Sequence, residues 1–227
     1  MAEFVFPPPA PATVPVFGSR ALFPVRRILC VGRNYAAHRR EMGGDERDPP
    51  FFFAKPADAL APGGGTAPFP PATADLHHEV ELVVGLSAGG GDVPPEEALG
   101  LVFGYAVGVD LTRRDLQNQA RSKGQPWEAG KAFDRSAPIS AIRPWGGRSP
   151  PDGRICLSVN GAVRQDASLG DMIWKVPEII AEASRLWALA PGDLIFTGTP
   201  EGVGQLRRGD FVECSIDAVG VLSFRIG

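Results

Sequence analysis

The chain has 227 residues, 44% hydrophobic and 22% charged, with a formal net charge of −3, the ordinary balance of a globular protein long enough to bury a sizeable core. No basic surplus points to nucleic acid, no apolar run reaches membrane-spanning length, and no basic stretch leads into an apolar one at the start, so the expected location is the cytoplasm. The 28 glycines and 23 prolines favour many short strands and turns, and three scattered cysteines, Cys30, Cys156 and Cys214, suit a reducing compartment rather than a disulfide or zinc framework.

Residues 1–24 are proline-rich (Pro7-Pro8-Pro9, Pro11, Pro15) and read as an extended arm, followed by one domain over 25–227. Residues 26–32 form a short apolar strand ended by glycine. Residues 33–42 read as a short helix stopping at Gly43-Gly44. His38 and Glu41 share a face of that helix, the spacing of a general-base dyad and equally of a casual surface ion pair. Phe51-Phe52-Phe53-Ala54-Lys55 is a strand whose lysine faces either solvent or a site.

After a turn-rich stretch comes His77-His78-Glu79-Val80-Glu81, running into Leu82-Val83-Val84-Gly85. The pattern predicts a strand. Alternation then puts Glu79 and Glu81 on one face, with Cα atoms roughly 6.6 Å apart. Two such carboxylates are screened by water on a solvent face, share a proton, or hold a cation.

Pro94-Pro95 opens a short helix. Residues 101–109 are a further apolar strand, ending at Asp110, which is either a site acid or the N-cap of a helix over 111–121. Arg113 and Arg114 are candidates for anion binding, or solvated charges. Lys131 stands between Gly130 and an apolar pair, a setting that fits an exposed turn or a buried functional lysine. Asn160-Gly161 marks a hairpin. Residues 177–187 read as an amphipathic helix with Ile179, Ile180, Ala183, Leu186 and Trp187 toward the core. A strand from Leu194 enters Thr197-Gly198-Thr199-Pro200-Glu201-Gly202-Val203-Gly204. That loop lacks the lysine of a Walker motif and reads as a tight turn or a cradle for a carboxylate. Two strands, near 211–217 and 220–226, close the chain.

Six segments, in this order, resemble the fumarylacetoacetate hydrolase family in its short single-domain, acylpyruvate hydrolase form. They are Val31-Gly32-Arg33-Asn34-Tyr35-Ala36-Ala37-His38, Lys55-Pro56, His77-His78-Glu79-Val80-Glu81-Leu82, Asp110-Leu111-Thr112-Arg113-Arg114-Asp115-Leu116-Gln117, Gly130-Lys131-Ala132-Phe133-Asp134 and Thr197 through Gly204. The proline-rich start and Pro49-Pro50-Phe51-Phe52-Phe53 narrow the resemblance to members acting on fumarylpyruvate.

The resemblance implies an α+β, mainly β fold, a mixed β-sandwich roll with a few short helices, assembled as a homodimer. It implies Mg²⁺ or Mn²⁺ held by Glu79, Glu81 and Asp110. His38, Glu41 and Lys131 would be catalytic, and Arg33, Lys55, Arg114, Gln117 and Thr199 would contact a small 2,4-dioxo acid. The implied reaction is hydrolysis of a C–C bond, with oxaloacetate decarboxylation or keto–enol tautomerisation as alternatives on the same metal. His77 shares the face of the two glutamates, and the resemblance gives it no ligand role.

Overall fold

The computed structural model describes residues 3–35, 48–146 and 149–227. Among the described residues, the many short strands are arranged in four sheets. The largest has eight strands. Its path runs Phe51–Lys55, Arg27–Gly32, Asp193–Phe196, Val80–Leu86, Val102–Val109, Ala137–Ile139 and Leu60–Pro62, with Arg143–Pro144 paired beside Val102–Val109. A five-stranded sheet runs Ala162–Ser168, Arg154–Val159, Phe211–Ile216, Gly220–Ile226, Gly65–Ala67. Pairing is mixed, with parallel contacts such as Asp193–Phe196 on Arg27–Gly32 among antiparallel ones. The architecture is the mainly β sandwich roll that the family resemblance implies.

The eight-stranded sheet is buried on both faces, which explains runs such as Leu82-Val83-Val84 where simple alternation of polar and apolar residues fails. Leu82, Val84, Tyr105 and Val107 point to one core, shared with Ile155, Leu157, Val212 and Phe224 of the five-stranded sheet and with Ile179, Ile180 and Ala183. Val83, Ala106, Ile28 and Phe196 point to a second core. The proline-rich start covers that second face: Thr13–Pro15 pairs with Leu22–Pro24, and Val14, Phe23 and Val25 are buried against the sheet. Each fully buried aliphatic side chain is worth roughly 2 kcal/mol over exposure. The sum offsets the cost of drawing charged groups into the same strands.

Helices are short: Pro95–Ala98, Arg114–Ser122, Glu128–Lys131 and Val176–Leu186 among the described residues. None is long and apolar enough to cross a membrane. The expected helix over 177–187 is present one residue earlier, but Leu186 is 60% exposed rather than in the core. Trp187, just past the helix, packs against the core as expected and lies edge-on to Phe52. Asn160 and Gly161 both take positive φ, as the predicted two-residue hairpin turn requires.

Candidate metal centre and active site

Glu79 and Glu81 do lie on one side of the chain, but not within one strand. Leu76–His78 pairs with Thr112–Arg113 and Gly204–Leu206 in a separate three-stranded sheet, and Val80–Leu86 belongs to the main sheet. Glu79 is the residue at the crossing. Asp110 follows the adjacent strand Val102–Val109, and its amide N–H donates to the Glu79 carbonyl at 2.8 Å. One carboxylate oxygen from each of Glu79, Glu81 and Asp110 lies within 4.8 Å of the others, and all three residues are buried. Asp110 is therefore not a helix cap. The next helix begins at Arg114, because Thr112 Oγ1 turns back to the Asp110 carbonyl and Arg114 N–H bonds the Asp75 carbonyl.

Three cations meet the three acids. Lys131 Nζ lies 2.8 Å from Glu79 Oε2, 2.5 Å from Asp110 Oδ2 and 2.7 Å from Thr112 Oγ1. Lys55 Nζ pairs with Asp110 Oδ1 at 2.8 Å. Arg114 pairs with Glu79 Oε1 and donates to Gln117 Oε1. Glu81 has no cation of its own among these pairs; its Oε2 accepts the Gly198 N–H at 2.7 Å. Burial, then the charges of Asp110 and Glu79, push the Glu81 carboxyl well above its ordinary value. Burial works against the charged form of Lys131, but the carboxylates of Asp110 and Glu79 outweigh it and raise its pKa. Three buried carboxylates whose charges disfavour one another, with oxygen as the ligand atom each offers, suit a hard divalent cation such as Mg²⁺ or Mn²⁺.

Arg33, Arg114, Gln117, Lys131 and Thr199 line one cavity with Glu79 and Glu81. Lys55 does not. It is 1% exposed and lies behind Asp110, bonded also to Ser136 Oγ at 2.9 Å and to the Lys131 carbonyl. Its strand delivers it to the far side of the carboxylate, where it braces Asp110. His38 and Glu41 lie outside the described residues. His77 bonds Asp75 Oδ1 at 3.0 Å and accepts from Arg114 Nε at 3.4 Å, so it touches the arginine that pairs with Glu79. The glycine-rich loop cradles a carboxylate, as one reading allowed, but the carboxylate belongs to Glu81.

Phe53 and Trp127 form an aromatic wall of the same cavity, with ring centroids 6.0 Å apart. Trp127 and Thr112 were not anticipated. Thr112 was readable in principle, since it falls two residues after Asp110 on the same face of an extended segment. Trp127 had no local signal, because its approach depends on the packing of Glu128–Lys131 against Phe51–Lys55.

Residues 27–227 match the family described as Fumarylacetoacetate (FAA) hydrolase C-terminal. Among solved structures, the chain is similar to fumarylpyruvate hydrolase from Pseudomonas aeruginosa in complex with Mn²⁺ and pyruvate, at 50% identity and TM-score 0.95, covering 99% of both chains. It is 42% identical to a fumarylpyruvate hydrolase of Ralstonia sp over 78% of this chain and 92% of the relative. It is also 42% identical to the mitochondrial oxaloacetate tautomerase of Rattus norvegicus, over 88% of this chain and 91% of the relative.

Proposed function

This chain belongs to the fumarylacetoacetate hydrolase family, and we propose that it is a metal-dependent hydrolase of 2,4-dioxo acids, converting fumarylpyruvate and water to fumarate and pyruvate. The observation that carries this reading is the buried, all-oxygen set Glu79, Glu81 and Asp110, two of whose members, Glu79 and Glu81, line a cavity shared with Lys131. With Arg33, four cations meet three acids around the cavity, so a divalent ion would leave the site net positive and ready for an anionic substrate. Glu79, Glu81 and Asp110 would hold such an ion, which would supply Lewis-acid stabilisation for the negative charge of the departing pyruvate half.

The remaining steps fall to the protein. Arg114 and Thr199 hold the substrate carboxylate from two sides of the cavity. His38, oriented by Glu41, takes the proton of the water that attacks the C4 carbonyl, a role assigned from the sequence. The Gln117 amide donates to the oxyanion formed at C4, and the charge of the Lys131 ammonium stabilises it. The C3–C4 bond breaks, and the pyruvate enolate takes up a proton. Phe53 and Trp127 keep water from the acyl half.

Mg²⁺ and Mn²⁺ both fit the donor set. The protein is proposed to be cytoplasmic, in keeping with cysteines 30, 156 and 214 all being free. A homodimer follows from the family resemblance, and light scattering in solution tests it.

The test of function is a substrate panel of fumarylpyruvate, acetylpyruvate and oxaloacetate, with Mg²⁺, with Mn²⁺ and with chelator. Fumarylpyruvate is expected to be hydrolysed fastest, and chelation or Glu81→Gln to abolish turnover. Hydrolysis that survives chelation would overturn the reading. Turnover of oxaloacetate without any hydrolysis would replace it with the decarboxylase reading or with the tautomerase reading, the latter being the one the rat relative supports.

A further inference from the structure

Gln165 is the one fully buried residue of the strand Ala162–Ser168. Pairing with Arg154–Val159 slips between Leu157, opposite Gln165, and Ser158, opposite Val163, so Arg164 is the extra residue of a β-bulge. Bulges re-aim side chains, and this one sends the Gln165 amide inward. Gly202 packs so closely on the Arg164 carbonyl that a Cβ there would collide with it.

The amide reaches two segments of the candidate site at once. Its Oε1 lies 3.1 Å from the amide nitrogen of Val80 and 2.9 Å from His78 Nδ1. Its Nε2 lies 2.9 Å from the Pro200 carbonyl oxygen and 2.8 Å from Thr199 Oγ1. Two of these partners have a single role: the Val80 N–H only donates and the Pro200 carbonyl only accepts. They fix which end of the amide is oxygen, and the other two roles follow. His78 donates from Nδ1. Thr199 Oγ1 accepts from Nε2, which leaves its hydroxyl hydrogen for another acceptor, and among the described residues no such acceptor bonds it. Thr199 lines the cavity that holds Glu79, Glu81 and Lys131.

We propose that Gln165 is a positioning residue that makes Thr199 a hydrogen-bond donor to the carboxylate of the bound 2-oxo acid. An unconstrained threonine hydroxyl accepts as readily as it donates. One already accepting from a buried amide presents its proton, and a carboxylate can only accept. The proposal deepens the functional reading and rests on it for the class of ligand.

The test uses Gln165→Glu, which keeps the side-chain length and the acceptor for Val80 and His78. It replaces the two N–H donors with an acceptor, so the Thr199 hydroxyl is drawn back toward residue 165. Pyruvate is the probe, its Kd measured by calorimetry on Mn²⁺-loaded protein, beside KM and kcat for fumarylpyruvate. Gln165→Glu is expected to raise the pyruvate Kd and the KM by about ten- to hundredfold, the loss of one hydrogen bond to a charged group. The change in kcat should be smaller, and Mn²⁺ affinity should stay within about threefold. Thr199→Val should match that loss, and the double variant should be no worse than either.

Unchanged pyruvate binding in Gln165→Glu, or losses that add in the double variant, would overturn the proposal. If Gln165→Glu does not fold, Gln165→Met frees the Thr199 hydroxyl without reversing it and should give an intermediate loss; wild-type binding there overturns the proposal equally. A wild-type protein that binds pyruvate but hydrolyses no fumarylpyruvate defeats the functional reading alone, and the pyruvate measurements still decide the role of Gln165.

Discussion

Lys55 and Lys131 bring the same ammonium group to the same carboxylate from opposite sides, Lys55 to Oδ1 of Asp110 and Lys131 to Oδ2. Only Lys131 lines the cavity. Their removal should therefore separate stability from catalysis. Lys55→Met removes the cation from Asp110 Oδ1 and a donor from Ser136 Oγ, while Lys131 still holds Asp110 Oδ2; breaking a buried ion pair costs about 3 kcal/mol. Urea denaturation of Lys55→Met should show a loss of that order, with KM for fumarylpyruvate at saturating metal within about twofold of wild type. Lys131→Met should lower kcat by about a hundredfold or more, as the loss of a charge stabilising the oxyanion does. A large KM increase in Lys55→Met would return that residue to the role of substrate contact. The sequence shows both lysines but not this division of labour, because the side of Asp110 that each approaches is set by its strand's register.

At the scale of the element, Glu-x-Glu was legible as a same-side pair, and the strand break at Glu79 was not. The break comes from pairing with distant segments, Thr112–Arg113 and Gly204–Leu206, which local alternation cannot name. The turn of residues 197–204 has the same character. Its glycines announced an unusual backbone, but only the fold shows that Gly198 takes φ +94° to aim its N–H at Glu81. A Cβ on Gly198 would lie 2.7 Å from Asn34 Cβ. Asn34 is itself fixed, donating from Nδ2 to the Thr197 carbonyl at 2.8 Å and to the Trp174 carbonyl at 2.9 Å. Gly198→Ala is thus strained in backbone and crowded in space, and should cost about 1–3 kcal/mol of stability. Glu81 would lose an aligned donor as well, so divalent-ion affinity measured by calorimetry should fall. Wild-type affinity in this variant would show that the Gly198 N–H does not orient the ligand.

Across the whole molecule, the site gathers residues from Arg33 to Thr199, and its three acids stand at the junction of two sheets. Ordered motifs made the site residues readable, but the parallel pairing of Asp193–Phe196 with Arg27–Gly32, which brings the glycine-rich loop to the acids, is a long-range choice. An ion bound there fastens both sheets, and its binding energy becomes folding stability. At a free concentration of 100 Kd the gain is about 2.7 kcal/mol, a rise in Tm of roughly 5–10 °C for a chain of this size. The gain should depend on pH with a definite sign. Burial first, then Asp110 and Glu79, raise the Glu81 carboxyl in the folded protein, so without metal the native state holds a proton that the unfolded chain releases. That contribution to stability is complete below the ordinary carboxylate range and is lost as pH rises through the raised value. Metal takes the place of the proton, so its increment should be largest on the alkaline side and shrink as pH falls into the window. Paired melts with Mn²⁺ and with chelator, from about pH 5 to about pH 8, measure the difference directly. An increment constant across that range would mean that Glu81 does not exchange its proton for the ion, and the three-carboxylate centre would need a different ligand in its place.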